Sequence, residues 1–538
     1  MRQQFVIVST IVLIITLALS ILLNPNWYVL FGICLIFVIM GYQDMFQTRH
    51  TVRRIYPLVG RLRYVLEDLR PKMYQYFIES DIDGRPFHRV DRSVIYQRAK
   101  KELQTIPFGT EFDVYAEGYE WMCHSIAPKA FKTLNHNPRV VFGNKDCKQP
   151  YSSSILNISA MSFGSLSGNA VEAMNAGAKI GNFAQNTGEG GISDYHLKHG
   201  GDLIWQIGTG YFGCRNEDGT FNPELYSKKS QLPSVKMIEL KISQGAKPGH
   251  GGILPKSKNT EEIARIRHIK PHTIVESPPY HSAFDTPLEM VKFLQKLRDL
   301  SGGKPIGFKL CIGHKSEFIS ICRAMIELDV YPDFITVDGG EGGTGAAPEE
   351  FTNYIGAPMI DGLDFVVNIL NGLDIRKHIR VVASGKVSTG FHIARAMALG
   401  ADTCNSARAM MMAIGCIQAR LCNTNTCPTG ITTQDPKLTV GLVVEDKKVR
   451  LANYHEETVK AFVEMLGASG LDEMKNLTRE HIYRRISLNE MLTYEEIFPS
   501  IEVGSMLKGK IAEKYKLDFA NSNINSWGIH PNQMENQF

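Results

Sequence analysis

The chain lacks most of the features that would place a protein at once. Across 538 residues the net charge is only +4, too little for the basic face that nucleic-acid binding needs. Its ten cysteines are scattered, apart from one triplet. They build no disulfide scaffold, which fits a reducing compartment. No repeat of 20–50 residues and no low-complexity tract is present, which excludes solenoids and propellers. A strand followed by the G-x-G-x-x-G turn of a dinucleotide site is not read anywhere in the chain, so electrons are expected from an external donor. The cysteine triplet has neither the second C-x2-C pair of a zinc ribbon nor the fourth cysteine of a ferredoxin run.

What is present begins with two apolar runs. Phe5–Leu23 is interrupted only by Ser and Thr and, at about 1.5 Å per residue, nearly spans a bilayer core. Asn24-Pro25-Asn26 is a turn signal. Trp27–Tyr42 is a second, shorter run with aromatic residues at both ends, as membrane interfaces favour. Arg2 precedes the first run, and Arg49, Arg53, Arg54, Arg61 and Arg63 follow the second, which predicts that both ends stay in the cytoplasm. No A-x-A-like site follows the first run, as a cleaved signal peptide requires. The expectation is a two-helix hairpin at residues 1–46 in the cell membrane, with the remainder facing the cytoplasm.

Residues 47–150 read as a lead-in region. It is basic and amphipathic from Tyr56 to Ile106, with two or three helices and a turn at Asp83-Gly84. Strand-like pieces follow at Glu111–Tyr115 and Val140–Phe142. Residues 437–538 read as a C-terminal helical segment. Between them, residues 151–436 alternate short β-branched runs with helical segments, the pattern of βα units and a parallel sheet. Eight strands are predicted: Ile155–Ala160, Asn182–Gln185, Leu203–Ile207, Met237–Ile242, Ile306–Leu310, Phe334–Val337, Val381–Ala383 and Asp402–Asn405. A ninth candidate, His272–Glu276, falls in a long insertion after the fourth. Periodicity alone leaves an open doubly wound sheet possible. Eight units and a paired phosphate site favour an α/β fold of the (β/α)8 TIM-barrel kind.

In such a barrel, chemistry belongs at the carboxyl ends of the strands. The first end reads SAMSFGSLS (Ser159–Ser167), carrying Met161 and Ser162. The second, QNTGEGG (Gln185–Gly191), is a glycine turn around Glu189. The third supplies Gln206 and Gly208, and the fourth, KISQGAKPGHGG, supplies Lys241, Gln244 and Lys247. Lys309 lies in the fifth, and Gly342 and Gly343 in the sixth, Asp338–Pro348. The seventh and eighth ends, Ser384-Gly385 and Ser406 with Arg408 beyond it, offer backbone N–H groups to a phosphate. Cys416, Cys422 and Cys427 follow in a C-x5-C-x4-C spacing. Three thiols so close can converge on a soft metal centre. Equally, they can be three buried reduced cysteines, small apolar residues in effect.

From about Asn157 to Pro436 these motifs, together with LPKSKNTEEIARIR, SPPYH and EGGTGAAP, resemble the FMN-binding synthase domain of the glutamate synthases. The resemblance implies FMN, and a 3Fe-4S cluster on Cys416, Cys422 and Cys427. It implies that Glu189, Lys247 and Arg267 bind 2-oxoglutarate or its imine, with Gln244 beside them. The FMN-binding positions it suggests are Met161, Ser162, Gln185, Gln206, Lys241, Lys309, Gly342, Gly343, Ser384, Gly385, Ser406 and Arg408. Lys309 is the first candidate, and Lys241 the second, for the cation that stabilises a reduced flavin. Taken without the resemblance, Arg267 reads as a surface residue of its helix. Two positions depart from the family pattern: His250 stands where the family has an acid, and Ile253 where it has a glutamine. The family's amidotransferase and β-helix domains are expected to be absent. The expected function is reduction of an imine or keto acid, such as 2-oxoglutarate plus ammonia to glutamate. Electrons would come from a ferredoxin or a reductase subunit. The alternatives are chemistry on other amines or N-substituted glutamates, and a membrane redox sensor or scaffold without turnover.

Overall fold

The computed structural model describes residues 1–102 and 105–528. They divide into two compact units, one ending at Val90 and the other beginning at Asp91. In the first, helices Arg2–Leu22 and Trp27–Phe46 are both long and apolar enough to cross a membrane. They meet where Gly41 leaves room for Phe5; a Cβ on Gly41 would stand 2.0 Å from the phenyl ring. The hydroxyls inside the first apolar run are satisfied within the helix. Thr16 Oγ1 donates to Val12 O at 2.8 Å, and Ser20 Oγ to Thr16 O at 2.7 Å. A helix in lipid has to satisfy its polar groups internally in this way. Helix Gly60–Met73 follows, continued by a wider turn at Tyr74–Ile78.

The second unit is built on a closed parallel barrel. Its strands are β1 (Leu156–Ile158), β2 (Gln185–Asn186), β3 (Leu203–Ile207) and β4 (Val235–Lys241). They continue with β5 (Ile306–Leu310), β6 (Phe334–Asp338), β7 (Arg380–Ser384) and β8 (Thr403–Ser406). Each pairs with the next in sequence, and β8 closes on β1. All eight predicted strands are present, Leu203–Ile207 and Ile306–Leu310 with the predicted bounds and the others with shifted ones. The ninth candidate is strand Val275–Glu276, paired with Ile253–Leu254 in the insertion after β4. Nearly every strand residue is buried, as expected of a parallel sheet covered by helices.

The amino end of the barrel is sealed by strand Arg139–Phe142 paired with Tyr151–Ser154. Phe142 and Tyr151 pack there with Ala184, Ile204, Met237, Phe334 and Val382. The carboxyl ends are thereby left for chemistry. Two local expectations need correction. Glu111–Tyr115 forms no strand; the strand in that region is Glu120–Met122. The C-terminal segment contains the long helix Val444–Ala468 but also strands Ile482–Arg485 and Met491–Thr493, which join Glu120–Met122 in one antiparallel sheet. These strands are three or four residues long, too short for alternation to mark them, and Ile482–Arg485, which pairs with Met491–Thr493 on one side, has its other partner hundreds of residues away. Glu120 fixes the join, accepting hydrogen bonds from Arg395 (2.7 Å), Arg484 (2.8 Å) and Tyr494 (2.6 Å).

Candidate active site

The site forms at the carboxyl mouth of the barrel, where β4 and β5 end side by side. Lys241 and Lys309 are register partners across these strands, so two ammonium groups stand at one level. Each is neutralised by a different carboxylate. Lys241 Nζ is 2.8 Å from Glu189 Oε1, and Lys309 Nζ is 3.1 Å from Asp338 Oδ2. Burial alone would raise the Glu189 pKa, but Lys241, and then Arg267 and Lys247, outweigh it and hold the carboxyl below its usual range. Lys309 is kept above its usual value against burial by Asp338 and Glu239. The two remaining cations move the other way. Burial lowers Lys247 to about 8 and Arg267 to about 10, with Glu189 partly opposing each shift.

The loop after β2, the loop after β4 and a helix of the β4 insertion thus bring Glu189, Lys247 and Arg267 within electrostatic reach of one another, with Lys241 as the direct partner of the acid. Glycines make this possible. A Cβ on Gly208 would stand 2.6 Å from a Glu189 carboxylate oxygen, and one on Gly252 2.7 Å from the other. Lys247 Nζ donates to Ala346 O of the β6 loop at 3.2 Å. Arg267, a surface residue by helix pattern alone, is buried at the end of helix Glu261–Arg267. Its Nη2 donates to Phe163 O at 3.0 Å, and its guanidinium lies 5.1 Å over the Phe212 ring. Among the described residues its Nε has no hydrogen-bond partner.

Sequence reasoning misplaced one member of the barrel interior and missed others. Gln185 points outward, donating to Val171 O of the flanking helix at 3.4 Å. Asn186 takes the inward position instead, because side chains alternate along a strand. Asn186 Nδ2 (2.8 Å) and Gln206 Nε2 (2.6 Å) donate to Glu239 Oε2, and Thr336 Oγ1 (2.6 Å) to Oε1. Glu239 is therefore a buried acid at the centre of the barrel. Its one sequence signal is a lone carboxylate inside the apolar run MIELK. Gln206, expected at the flavin, is committed to this network. His281 is a second omission. Its Nε2 lies 2.8 Å from the Lys241 carbonyl and its Nδ1 3.0 Å from the Tyr211 hydroxyl. Burial lowers its pKa to about 4, so the ring is neutral. It donates to the carbonyl through Nε2 and accepts from Tyr211 through Nδ1, fixing the end of β4 that carries Lys241.

At the other side of the mouth, Ser384 Oγ is 3.3 Å from Ser159 Oγ, and Ser406 Oγ donates to Val387 O at 2.6 Å. Arg408 Nη2 donates to Glu341 O at 2.7 Å, and a Cβ on Gly343 would stand 3.1 Å from Arg408 Nη1. Gly342 N–H donates to Gly339 O at 2.9 Å. The Glu341 carboxylate accepts the Met359 N–H at 2.9 Å. Ser162 Oγ lies 3.0 Å from Ser165 Oγ, beside buried Met161. Gly340–Gly345 does carry the letters G-x-G-x-x-G after β6, which corrects the reading that no strand is followed by such a turn. The run opens no helix there, however. It stays a loop, and the next helix begins only at Glu349.

Cys416 and Cys422 are half-buried and Cys427 is buried. Among the described residues no three His, Cys, Asp or Glu side chains stand together as a ligand set for one metal ion. The thiols differ. Burial pushes Cys416 up to about 11. For Cys427, hydrogen bonds, the Thr429 hydroxyl first at 3.4 Å, outweigh burial and bring it down to about 7. Lys258, buried, donates to Cys422 O (2.9 Å), Thr432 O (2.8 Å) and Ser165 O (3.3 Å), and so ties this loop to the β1 loop.

A profile of the conserved region in glutamate synthase matches residues 98–472. The chain belongs to the glutamate synthase family. It is 36% identical to the glutamate synthase large subunit-like protein YerD of Bacillus subtilis over 82% of this chain and 91% of that one. The archaeal glutamate synthase [NADPH] of Methanocaldococcus jannaschii is 32% identical over 62% of each chain. The glutamate synthase [NADPH] large chain of Azospirillum brasilense is 32% identical over 58% of this chain and 20% of that one. The chain thus spans most of the Bacillus protein, less than two thirds of the archaeal one and a fifth of the large chain. His250 and Ile253 both lie in the β4 insertion. His250 Nδ1 is 2.9 Å from Gly251 O, and its ring meets Phe351 edge-on at 5.2 Å. Ile253, half-buried, opens the strand that pairs with Glu276.

Proposed function

We propose that this chain is an FMN and iron–sulfur oxidoreductase that reduces an acidic imine or keto acid at Glu189. Its two apolar helices would anchor it in a membrane, and an external protein such as a ferredoxin would supply the electrons. The observation that carries the reading is one carboxylate within reach of three cations at the mouth of an α/β barrel.

The donors at the strand ends fit a flavin phosphate: the Ser384 hydroxyl, the Gly385 backbone and the Arg408 guanidinium beside Gly343. Lys309, held by Asp338, is the cation offered to the ring. When bound, FMN supplies two-electron transfer to carbon. The chain's own residues do the rest. Lys247 and Arg267 bind the substrate carboxylates, Arg267 through the planar fork that suits a carboxylate. Lys241 keeps Glu189 ionised, so the carboxylate would orient the substrate nitrogen and favour its protonated imine form, which already carries the proton the amine needs, and would exchange that proton with solvent as general acid/base. A 3Fe-4S cluster spreads its thiolates over separate irons, and so needs wider spacing than a single-ion site. Cys416, Cys422 and Cys427 would hold it, with Lys258 as the nearby positive charge. Ile253 and His250 support a substrate other than 2-oxoglutarate, since an aliphatic side chain cannot satisfy a ligand oxygen.

The direct test is anaerobic reduction of the purified protein, followed by reoxidation with a panel of keto acids plus ammonia. Expected are FMN as the released cofactor and faster reoxidation by an acidic keto acid other than 2-oxoglutarate. FAD on release, or no reoxidation by any member, would remove the proposal. Iron is a second test. The protein should hold about three irons per chain, and Cys422→Ser should lose them while the barrel's circular dichroism persists. Stoichiometric zinc without iron would sink the cluster.

The Lys247 pKa gives a pH signature. Below about 8 the amine is charged, and above that value it is neutral, whereas an unperturbed lysine stays charged to about 10.4. KM for an acidic substrate should therefore rise as pH climbs through 8, and Lys247→Arg should push that rise to higher pH. A KM flat from pH 7 to 9.5 would show that Lys247 does not bind the anion.

A further inference from the structure

Beyond the two apolar helices, the first unit carries an apolar helix face that is exposed among the described residues. On helix Gly60–Met73 the side chains of Leu62, Val65, Leu66, Leu69 and Met73 are all exposed. At 100° per residue these five fall within an arc of roughly 100°, the width of an apolar stripe. The charges are sorted around that stripe. Lys72 borders it on one side, next to Arg61, whose guanidinium is held by Asp44, and Arg63 and Arg70 lie on the other, Arg63 paired with Glu67 at 2.8 Å. The acid Glu67 lies on the far side, and Asp68 lies beside Arg61. Long basic side chains flanking an apolar stripe can rest their stems on lipid while their heads reach phosphates.

The start of this helix is also pinned to the end of the second apolar helix. Asp44, in the last turn of Trp27–Phe46 and fully buried, accepts from Arg53 Nε (2.8 Å) and Nη2 (2.6 Å). It also accepts from Arg61 Nε (2.7 Å) and the Leu58 N–H (3.2 Å). The exposed stripe therefore begins where the membrane-crossing segment ends.

We infer that helix Gly60–Met73 lies flat in the headgroup layer of the bilayer its hairpin crosses, apolar stripe toward the acyl chains, and that it binds anionic lipid there. The inference rests on the proposal that the hairpin spans a membrane. Continuity with the hairpin and the flanking cations select lipid over a second copy of the chain as the occupant.

The test uses the full-length protein in nanodiscs of phosphatidylcholine with or without phosphatidylglycerol. A photo-crosslinking p-benzoylphenylalanine is placed at Leu66, at Glu67 on the far face, or at Ile14 in the first apolar helix, and lipid adducts are counted by mass spectrometry. Expected are adducts at Ile14 in both lipids. At Leu66, adducts should exceed those at Glu67 about fivefold or more in anionic discs. They should fall several-fold without phosphatidylglycerol, or in the triple variant R63E/R70E/K72E. Adducts at Ile14 with none above background at Leu66 would overturn the inference and leave the anchor standing. A Leu66 product of two protein chains would assign the stripe to a second copy instead. No adduct at Ile14 would remove the anchor and the inference together.

Discussion

Glu189→Gln should lower kcat by about 10²–10⁴-fold, the range over which a positioned general base acts, with KM changed only a few-fold. Glutamine keeps the shape and fills the same space between Gly208 and Gly252, but it can neither take a proton nor carry charge. Arg267→Ala should do the opposite. It should raise KM by about 10- to 100-fold, the worth of charge-assisted hydrogen bonds, and leave kcat nearly unchanged. The contrast separates proton handling from uniform binding. Single-turnover reoxidation of the reduced protein measures it. A Gln variant that loses KM and keeps kcat would make Glu189 a binding residue only.

Asp338→Ala should cost about 3–5 kcal/mol of stability, because removing one partner of a buried pair strands the other charge. Lys309 loses its counter-ion, and the Gly245 N–H loses an acceptor at 2.8 Å. Stripped of its partner, buried Lys309 titrates below its unfolded value. The deficit should be largest at neutral pH and shrink as pH climbs, vanishing only above about 10.4, where the lysine is neutral in both states. The double variant D338A/K309M should recover much of the loss by removing the stranded charge. Denaturant unfolding of the three variants measures this. If the double variant is no more stable than the single one, the pair is not what Asp338 contributes.

Much of this could be read along the chain because the governing interactions are local. The eight strands announced themselves as short β-branched runs separated by helical spacing, and the strand ends as glycine-rich turns. Glu189, Lys241, Lys247 and Lys309 were legible because a charged residue at a strand end in such a turn has few structural uses. The two apolar helices were plain from their length.

What could not be read depended on direction and on distant partners. A strand of two residues gives no alternation to follow, so Gln185 and Asn186 exchanged inward and outward roles. Glu239 shows as a lone acid in an apolar run, and only closure of the barrel brings Asn186, Gln206 and Thr336 around it. Lys309 and Lys241 both looked like free cations. The register of β4 on β5 set them side by side, which requires a separate carboxylate for each. The antiparallel sheet linking Glu120–Met122 to the C-terminal segment depends on residues more than 350 positions apart. The sequence by itself determined the eight barrel strands and which glycine turns and charged residues stand at their ends, because periodicity and glycine turns are properties of neighbours. The tertiary structure alone decided which charges face one another and which side chains point into the barrel, because pairing energies act through space between residues the chain separates.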